Sequence, residues 1–227
     1  MIGDKLVITD YHRAAAAKAL DLVRERLVSH SGTLTVSIAG ESGCGKTETA
    51  HCLAEALQDE GRSCLILSQD DYFRLPPKSN HQRRLEDISW VGTGEVRLDL
   101  LDAHIVALKD HPEEPLVKPL VHFEEDEIDT ETISPERRDV VIAEGTFTTL
   151  LSNIDVRVFI DRNYHQTKKA RLTRARDPNT DFLEQVLEIE HQEISKHKTR
   201  ADVIIDPPPA SNSSAPTDLH ATSSQER

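Results

Sequence analysis

Residues Gly40-Glu41-Ser42-Gly43-Cys44-Gly45-Lys46-Thr47 match G-x-x-x-x-G-K-[ST] and lie between two segments of different periodicity. Before them, Leu34, Val36 and Ile38 alternate with Thr35, Ser37 and Ala39, the period of a strand. After them, Ala50, Leu53, Ala54 and Leu57 share one helical face, and Gly61 is placed to end that helix. Strand, glycine loop and helix in this order restrict the chain to an α/β architecture with an anion cradle at a strand's carboxyl end. Glycines let the backbone curl so that N–H groups face a phosphate, and the next helix adds its positive end. Lys46 can reach the β- and γ-phosphates, and the Thr47 hydroxyl can ligate Mg²⁺. Residues Gly40 through Thr47, with Glu48 beside them, are therefore the expected contacts for ATP or GTP. Cys44 occupies a free position of the pattern and reads as a small filler.

Other short apolar runs repeat the strand pattern. They are residues 64–67, 140–143, 156–160 and 203–205, with helical stretches between them. Five such strands imply a mainly parallel, doubly wound sheet with flanking helices. An N-terminal helix is expected over about residues 10–28, capped by Thr9 or Asp10, and another over about 95–109. Residues 74–94, punctuated by Pro76-Pro77, Gly92 and Gly94, read as a loop. Residues 115–133 read as a small β-flap with the acidic Glu124-Glu125-Asp126-Glu127 as its turn. A basic helix is expected over about 164–175, within a lid of about 164–178 that Asp177-Pro178-Asn179 breaks, and a long helix over about 181–197. Residues 1–206 form the expected folded domain. From Pro207 the composition turns to Pro, Ser, Ala and Thr, which predicts a disordered tail over 207–227.

Charge narrows the classes of partner. With 40 acidic against 27 basic residues the net charge is -13, which argues against general nucleic-acid or anionic-membrane binding. One Trp and three Tyr supply no base-stacking platform. No apolar run reaches transmembrane length. Three cysteines, an odd count without a signal peptide, suggest reduced thiols and a cytoplasmic setting. The histidines lack metal-ligand spacing. Oligomeric state is not readable, so an oligomer stays open.

Two acids follow strand ends, where ligands gather in such sheets. Asp70 follows residues 64–67 and is placed to take a proton from an acceptor hydroxyl or to hold Mg²⁺ through water; Asp71 is the alternative for either task. Glu144 ends the 140–143 run and stands near the metal or the acceptor. Lys168, Lys169, Arg171, Arg174 and Arg176 make the lid segment basic, with Arg171 and Arg174 on one face. Cations there could close over a transferring phosphoryl group, or simply form a solvated face.

With these residues in view, the chain resembles the uridine kinase-like branch of P-loop kinases, to which phosphoribulokinase is related. The resemblance runs from about residue 34 to 206. It rests on the phosphate loop, Ser68-Gln69-Asp70-Asp71-Tyr72-Phe73, Val141-Ile142-Ala143-Glu144-Gly145, the Arg-rich lid and Ala201-Asp202-Val203-Ile204-Ile205. It implies transfer of a γ-phosphoryl group from ATP to the hydroxyl of a small-molecule acceptor. Asp70 is then the base, Thr47 a magnesium ligand, Glu144 an active-site acid, and Arg171 and Arg174 lid contacts. The acceptor side departs from the family. Val121 stands where a tyrosine is expected, the following His–Arg segment is acidic here, a family arginine falls at Thr180, and Asp87-Ile88-Ser89-Trp90 replaces a Phe-Asp-His-Pro stretch. Asp71, Tyr72, Arg83, Arg84, Asp87, Trp90 and His122 are the local candidates for acceptor contacts. A hydrogen-bonding pocket with exchanged partners changes its substrate, so altered acceptor recognition is expected. The acidic flap could favour a cationic acceptor or be a solvated loop. A nucleotide switch or ATPase is the competing reading. Neither an Asn-Lys-x-Asp base-reading motif nor a Leu-Ser-Gly-Gly-Gln signature is present.

Overall fold

A computed structural model describes residue 2, residues 6–174 and residues 180–208. Helix α1, Asp10–Ser29, starts at Thr9 and buries Ala15, Ala16, Ala19, Leu20 and Val23. It leads to β1, Leu34–Gly40, which is buried at every position. The phosphate loop follows, then α2, Lys46–Asp59, whose Ala50, Leu53, Ala54 and Leu57 are buried as the periodicity predicts. Gly61, at φ +77°, ends α2, and Arg62 N donates to Leu57 O at 3.0 Å across the turn.

Strand β2, Cys64–Ser68, leads into a single 3-10 turn, Gln69–Tyr72. The stretch expected as loop contains α3, Pro77–Glu86. Its two prolines do not interrupt structure. Pro76 is the N-cap and Pro77 the first helical residue, where a missing N–H costs nothing. Helix α4, Leu98–Asp110, begins three residues later than its pattern suggested. The flap is present as β3, Leu116–His122, and β4, Glu127–Ile133, paired antiparallel. Then come β5, Val140–Glu144; β6, Val156–Ile160; α5, Tyr164–Arg174; α6, Asp181–Ile194; and β7, Val203–Ile205.

The five main strands run parallel in the order β2-β5-β1-β6-β7. Strand β2 is an edge, so of the run expected to be buried only Leu67 is. Alternate residues feed two cores. Val36, Ile38, Val140, Ile142 and Val158 pack with Leu20, Leu53 and Leu57 of α1 and α2. Ala39, Val141, Ala143 and Phe159 pack on the other face with Leu101 and Ile105 of α4 and Ile194 of α6. Each fully buried Leu or Ile contributes about 1.5–3 kcal/mol. The expected α/β fold, a parallel sheet covered on both faces with a small flap, is the observed one.

Register brings the site together. Glu144 on β5 pairs with Ser68 on β2 at one side and Ile38 on β1 at the other. The ends of three adjacent strands thus place Ser68, Glu144 and the start of the phosphate loop in a row. No described helix is long and apolar enough to cross a membrane.

Candidate active site

The phosphate loop takes its shape from two left-handed glycines, Gly43 at φ +74° and Gly45 at φ +100°, the latter capping α2. Lys46 is the first residue of α2, and its Nζ donates to Glu41 O at 3.0 Å. The lysine therefore curls back over the loop it serves. Cys44 is fully buried and burial pushes its thiol pKa up, which suits a filler and not a nucleophile. Glu48 is buried in the first turn of α2.

Glu144 is 2% exposed and sits between the loop and β2. It accepts from Thr47 Oγ1 at 3.2 Å and from Ser68 Oγ at 2.5 Å. Burial, and then the negative charge of Asp70, raise its pKa to about 7. Asp70 is the second residue of the 3-10 turn after β2 and is half-buried. It borders two clefts. One, of about 180 Å³, reaches from Asp70 and Ser42 to Phe123 on the flap and Phe182 on α6. The other, of about 300 Å³, lies against Thr47, Ser68, Glu144 and the flap's Lys118.

The lid helix rests on the phosphate loop. Tyr164 N donates to Glu41 Oε2 at 2.6 Å, and Thr167 Oγ1 donates to Ser42 O at 2.9 Å. Arg171 Nη1 donates to Thr167 Oγ1 at 2.6 Å and to Tyr164 O. Its aliphatic stem lies so close to Gly43 that a Cβ there would stand 2.7 Å from Arg171 Cγ. Arg174 closes α5. Arg176 and the expected break of the lid lie outside the described residues, as does the chain from residue 209 onward.

The expected acceptor contacts divide. Arg84 lines the first cleft. Asp71 lines the second cleft beside Asp70, but its carboxylate is engaged by the flap. It is buried, with Lys118 Nζ at 2.9 Å and Val121 N donating to it at 3.1 Å, so it pins the flap to the turn. Tyr72 is fully buried and its hydroxyl meets His104 Nδ1 at 2.9 Å. Arg83, Asp87 and Trp90 line neither cleft. Trp90 Nε1 donates to Asn80 Oδ1 at 2.9 Å, Arg83 stacks over the Trp90 ring, and Asp87 caps the next turn. His122 also lines neither cleft; alternation along β3 turns Val121 toward the first cleft and Lys118 and Leu120 toward the second, and His122 ends the strand beyond them. Thr180 is the N-cap of α6.

Sequence reasoning missed several residues of this site. Phe182, Val186 and Glu190 line the first cleft from α6 at four-residue spacing, a helix-face signal that was legible. Asn80 and His81 line it from the unrecognised α3. The link between His191 and Glu41 carries no local signal at all.

The pattern of the Phosphoribulokinase / Uridine kinase family matches residues 35–210. A uridine kinase of Staphylococcus epidermidis is 29% identical over 185 residues, covering 76% of this chain and 87% of that protein. A bifunctional alpha-galactosidase/sucrose kinase of Mediterraneibacter gnavus is 27% identical over 186 residues, which are 76% of this chain but only 20% of that protein. Among solved structures, one titled a possible uridine kinase from Bacillus stearothermophilus is similar at a TM-score of 0.58 and 22% identity, covering 84% of this chain and 98% of that one. Phosphoribulokinase from Rhodobacter spheroides is similar at a TM-score of 0.60 and 11% identity, covering 77% and 70%. At these identities the structural likenesses speak to the fold. The sequence match extends over most of the chain, which belongs to the phosphoribulokinase/uridine kinase family, a family of ATP-dependent phosphotransferases.

Proposed function

We propose that residues 1–206 are one kinase domain that transfers the γ-phosphoryl group of ATP to a hydroxyl of a small molecule held in the cleft between Asp70, the flap and α6. The observation that carries this reading is the position of Asp70. It borders both the cleft that reaches Phe123 and Phe182 and the space beside Thr47 and Glu144. A base there lies between an acceptor and the donor's phosphates.

In this reading the loop's N–H groups and Lys46 hold the β- and γ-phosphates. Asp70 accepts the proton of the acceptor hydroxyl as its oxygen bonds to the γ-phosphorus and the bond to the β-phosphate oxygen breaks, releasing ADP. Arg171, which lies over Gly43, and Arg174 one turn further offset the charge on the transferring group. Closure of α5 and α6 over the loop keeps water from competing.

The oxygen donors beside the loop fit Mg²⁺. Thr47 and Ser68 hydroxyls meet the Glu144 carboxylate, with Asp70 close enough to raise its pKa. Thr47 with Asp70 or Glu144 would hold the ion, and bound there it would neutralise phosphate charge. Among the described residues no group of three or more His, Cys, Asp or Glu side chains could hold a metal. The three cysteines are free, which suits a reducing, cytoplasmic compartment.

The test is ADP release measured across a panel of hydroxyl compounds, with product masses read directly, for the wild type and Asp70→Asn. Acceptor-dependent release that falls by about 10²–10⁴ in the variant, with ATP affinity kept, is expected of a lost general base. Release indifferent to every acceptor favours the switch or ATPase reading. Collapse of ATP affinity makes Asp70 a structural residue.

A further inference from the structure

The acidic turn of the flap divides by role. Glu124, Glu125 and Glu127 are exposed, while Asp126 among them is drawn against α3. Helix α3 has no cap of its own. Its N-cap position is Pro76, whose side chain has no oxygen to offer the open N–H groups of the first turn. Asp126 supplies that oxygen from the flap. Lys78 N donates to its Oδ1 at 2.6 Å, and Ser79 N and Ser79 Oγ donate to its Oδ2 at 3.2 and 2.7 Å. Lys78 Nζ reaches back to Glu124 O at 2.6 Å. The backbone is shaped for this contact. Asp126 is the one described non-glycine residue with a positive φ, at 57°, a conformation that Asp and Asn tolerate better than most side chains.

We propose that Asp126 is a positioning residue for phosphoryl transfer: it clamps the flap to α3, seats Phe123 in the first cleft and so sets the affinity for the acceptor. The proposal rests on the kinase reading above. Phe123 lies in the same turn as Asp126, between β3 and β4, and lines the first cleft with Val121 of β3. Pro77, Asn80 and His81 line that cleft from the helix that Asp126 caps. Two walls of the cleft are thus joined at a point outside it, since Asp126 itself lines neither cleft. Helix α3 also meets the third wall. His81 packs edge-on against Phe182, and Arg84 Nη2 donates to Glu190 Oε1 at 3.1 Å. The root of the flap is held by Asp71, through Lys118 Nζ and Val121 N. With the root fixed, the capped turn decides where Phe123 stands. The phosphate loop is tied elsewhere, to α5 and α6 through Glu41 and Ser42, so loss of the Asp126 carboxylate leaves its anchors in place.

The experiment uses the full chain and has two arms. Hydrogen exchange read by mass spectrometry needs no acceptor. Asp126→Gly accepts the positive φ and loses only the side chain, so amides of residues 77–82 and 116–133 should exchange at least about fivefold faster than in the wild type, the size of a lost cap. Asp126→Asn keeps an oxygen and tolerates the same backbone, and should restore most of the protection. Peptides from α1 and α2 should not change. In the second arm ADP release with ATP and Mg²⁺ is followed across the hydroxyl panel, uridine and sucrose included. For any compound that raises it, Asp126→Gly should raise that compound's KM at least about tenfold, with kcat and the KM for ATP within about twofold, the signature of lost uniform binding. Asp126→Asn should again recover most of the loss. Ser79→Ala removes one donor from the helix side and should shift both readouts the same way by less; it covers the case of a misfolded flap variant, judged by thermal melting. Exchange unchanged in folded Asp126→Gly, or an acceptor KM that stays put or moves no more than the KM for ATP, overturns the positioning role and leaves the kinase reading standing. ADP release that no compound raises in the wild type sinks the kinase reading, and exchange alone then decides whether Asp126 holds the flap.

Discussion

His191 Nδ1 lies 2.6 Å from Glu41 Oε1, a contact between residues 150 positions apart that ties α6 to the phosphate loop. The second oxygen of Glu41 accepts from Tyr164 N at the start of α5. One side chain, 9% exposed, therefore holds both the lid helix α5 and α6 against the loop. Glu41→Ala leaves the Tyr164 N–H without its acceptor, a loss of about 1–3 kcal/mol. For a chain of this length each kcal/mol lowers the melting temperature by roughly 2–4 °C. A drop of several degrees is expected by calorimetry, and a smaller one for Glu41→Gln, which keeps an oxygen for Tyr164. An unchanged midpoint removes Glu41 from lid anchoring.

Gly43 joins the same contact from the other side. Its φ of +74° disfavours any side chain, and a Cβ would stand 2.7 Å from Arg171 Cγ. The left-handed backbone alone costs alanine about 1–2 kcal/mol. Gly43→Ala should also push the lid helix off the loop and raise the KM for ATP at least about tenfold, in a protein whose circular dichroism is that of the wild type. Steady-state kinetics at varied ATP check this. An unaltered KM shows that the close approach of Arg171 is not needed for nucleotide capture.

Lys46 has its ammonium on the Glu41 carbonyl, within the loop. A cation supplied to the transferring group is worth about 10²–10³ in turnover, by analogy with a lost oxyanion donor. Lys46→Ala should lose at least that much while Glu41, Thr167 and Tyr164 keep the lid in place. Single-turnover measurements with radiolabelled ATP read it directly. Turnover near that of the wild type would take the phosphate loop out of the chemistry.

The positions of Asp70 and Glu144 were legible because each follows a short apolar strand, and a parallel sheet collects strand ends at one edge. The same logic does not foresee how the next two residues are engaged. Asp71 and Tyr72 continue the motif, but the 3-10 turn sends them inward, to Lys118 and His104. Helix α3 was invisible because its low apolar content leaves no stripe, and its opening prolines resemble loop punctuation. The Arg84–Glu190 pair spans 106 positions, so no local pattern announces it. Local periodicity found the residues at the strand ends. The first cleft is lined by residues of α3, the flap and α6, which only the fold brings together.

Glu144 sets a pH dependence whose direction can be derived. Its carboxyl ordinarily titrates at 4.5, and in the fold it is raised to about 7, first by burial and second by the charge of Asp70. Below the ordinary value both the folded and unfolded chains are protonated there. Between 4.5 and about 7 the folded protein holds a proton that the unfolded chain has released. The stability from this group is therefore fully present at the acid end and is lost as pH rises through 7, after which it is flat. In protein free of nucleotide and stripped of metal with EDTA, the wild-type melting temperature should fall relative to that of Glu144→Gln as pH rises from about 5 to about 7. Asp70→Asn removes the like charge that contributes to the shift, so the window should move to lower pH. Melting curves in a constant-ionic-strength buffer series decide the matter. A wild-type advantage that grows over this range would mean that Glu144 is stabilised as a carboxylate in the empty site, with Thr47 and Ser68 outweighing its burial.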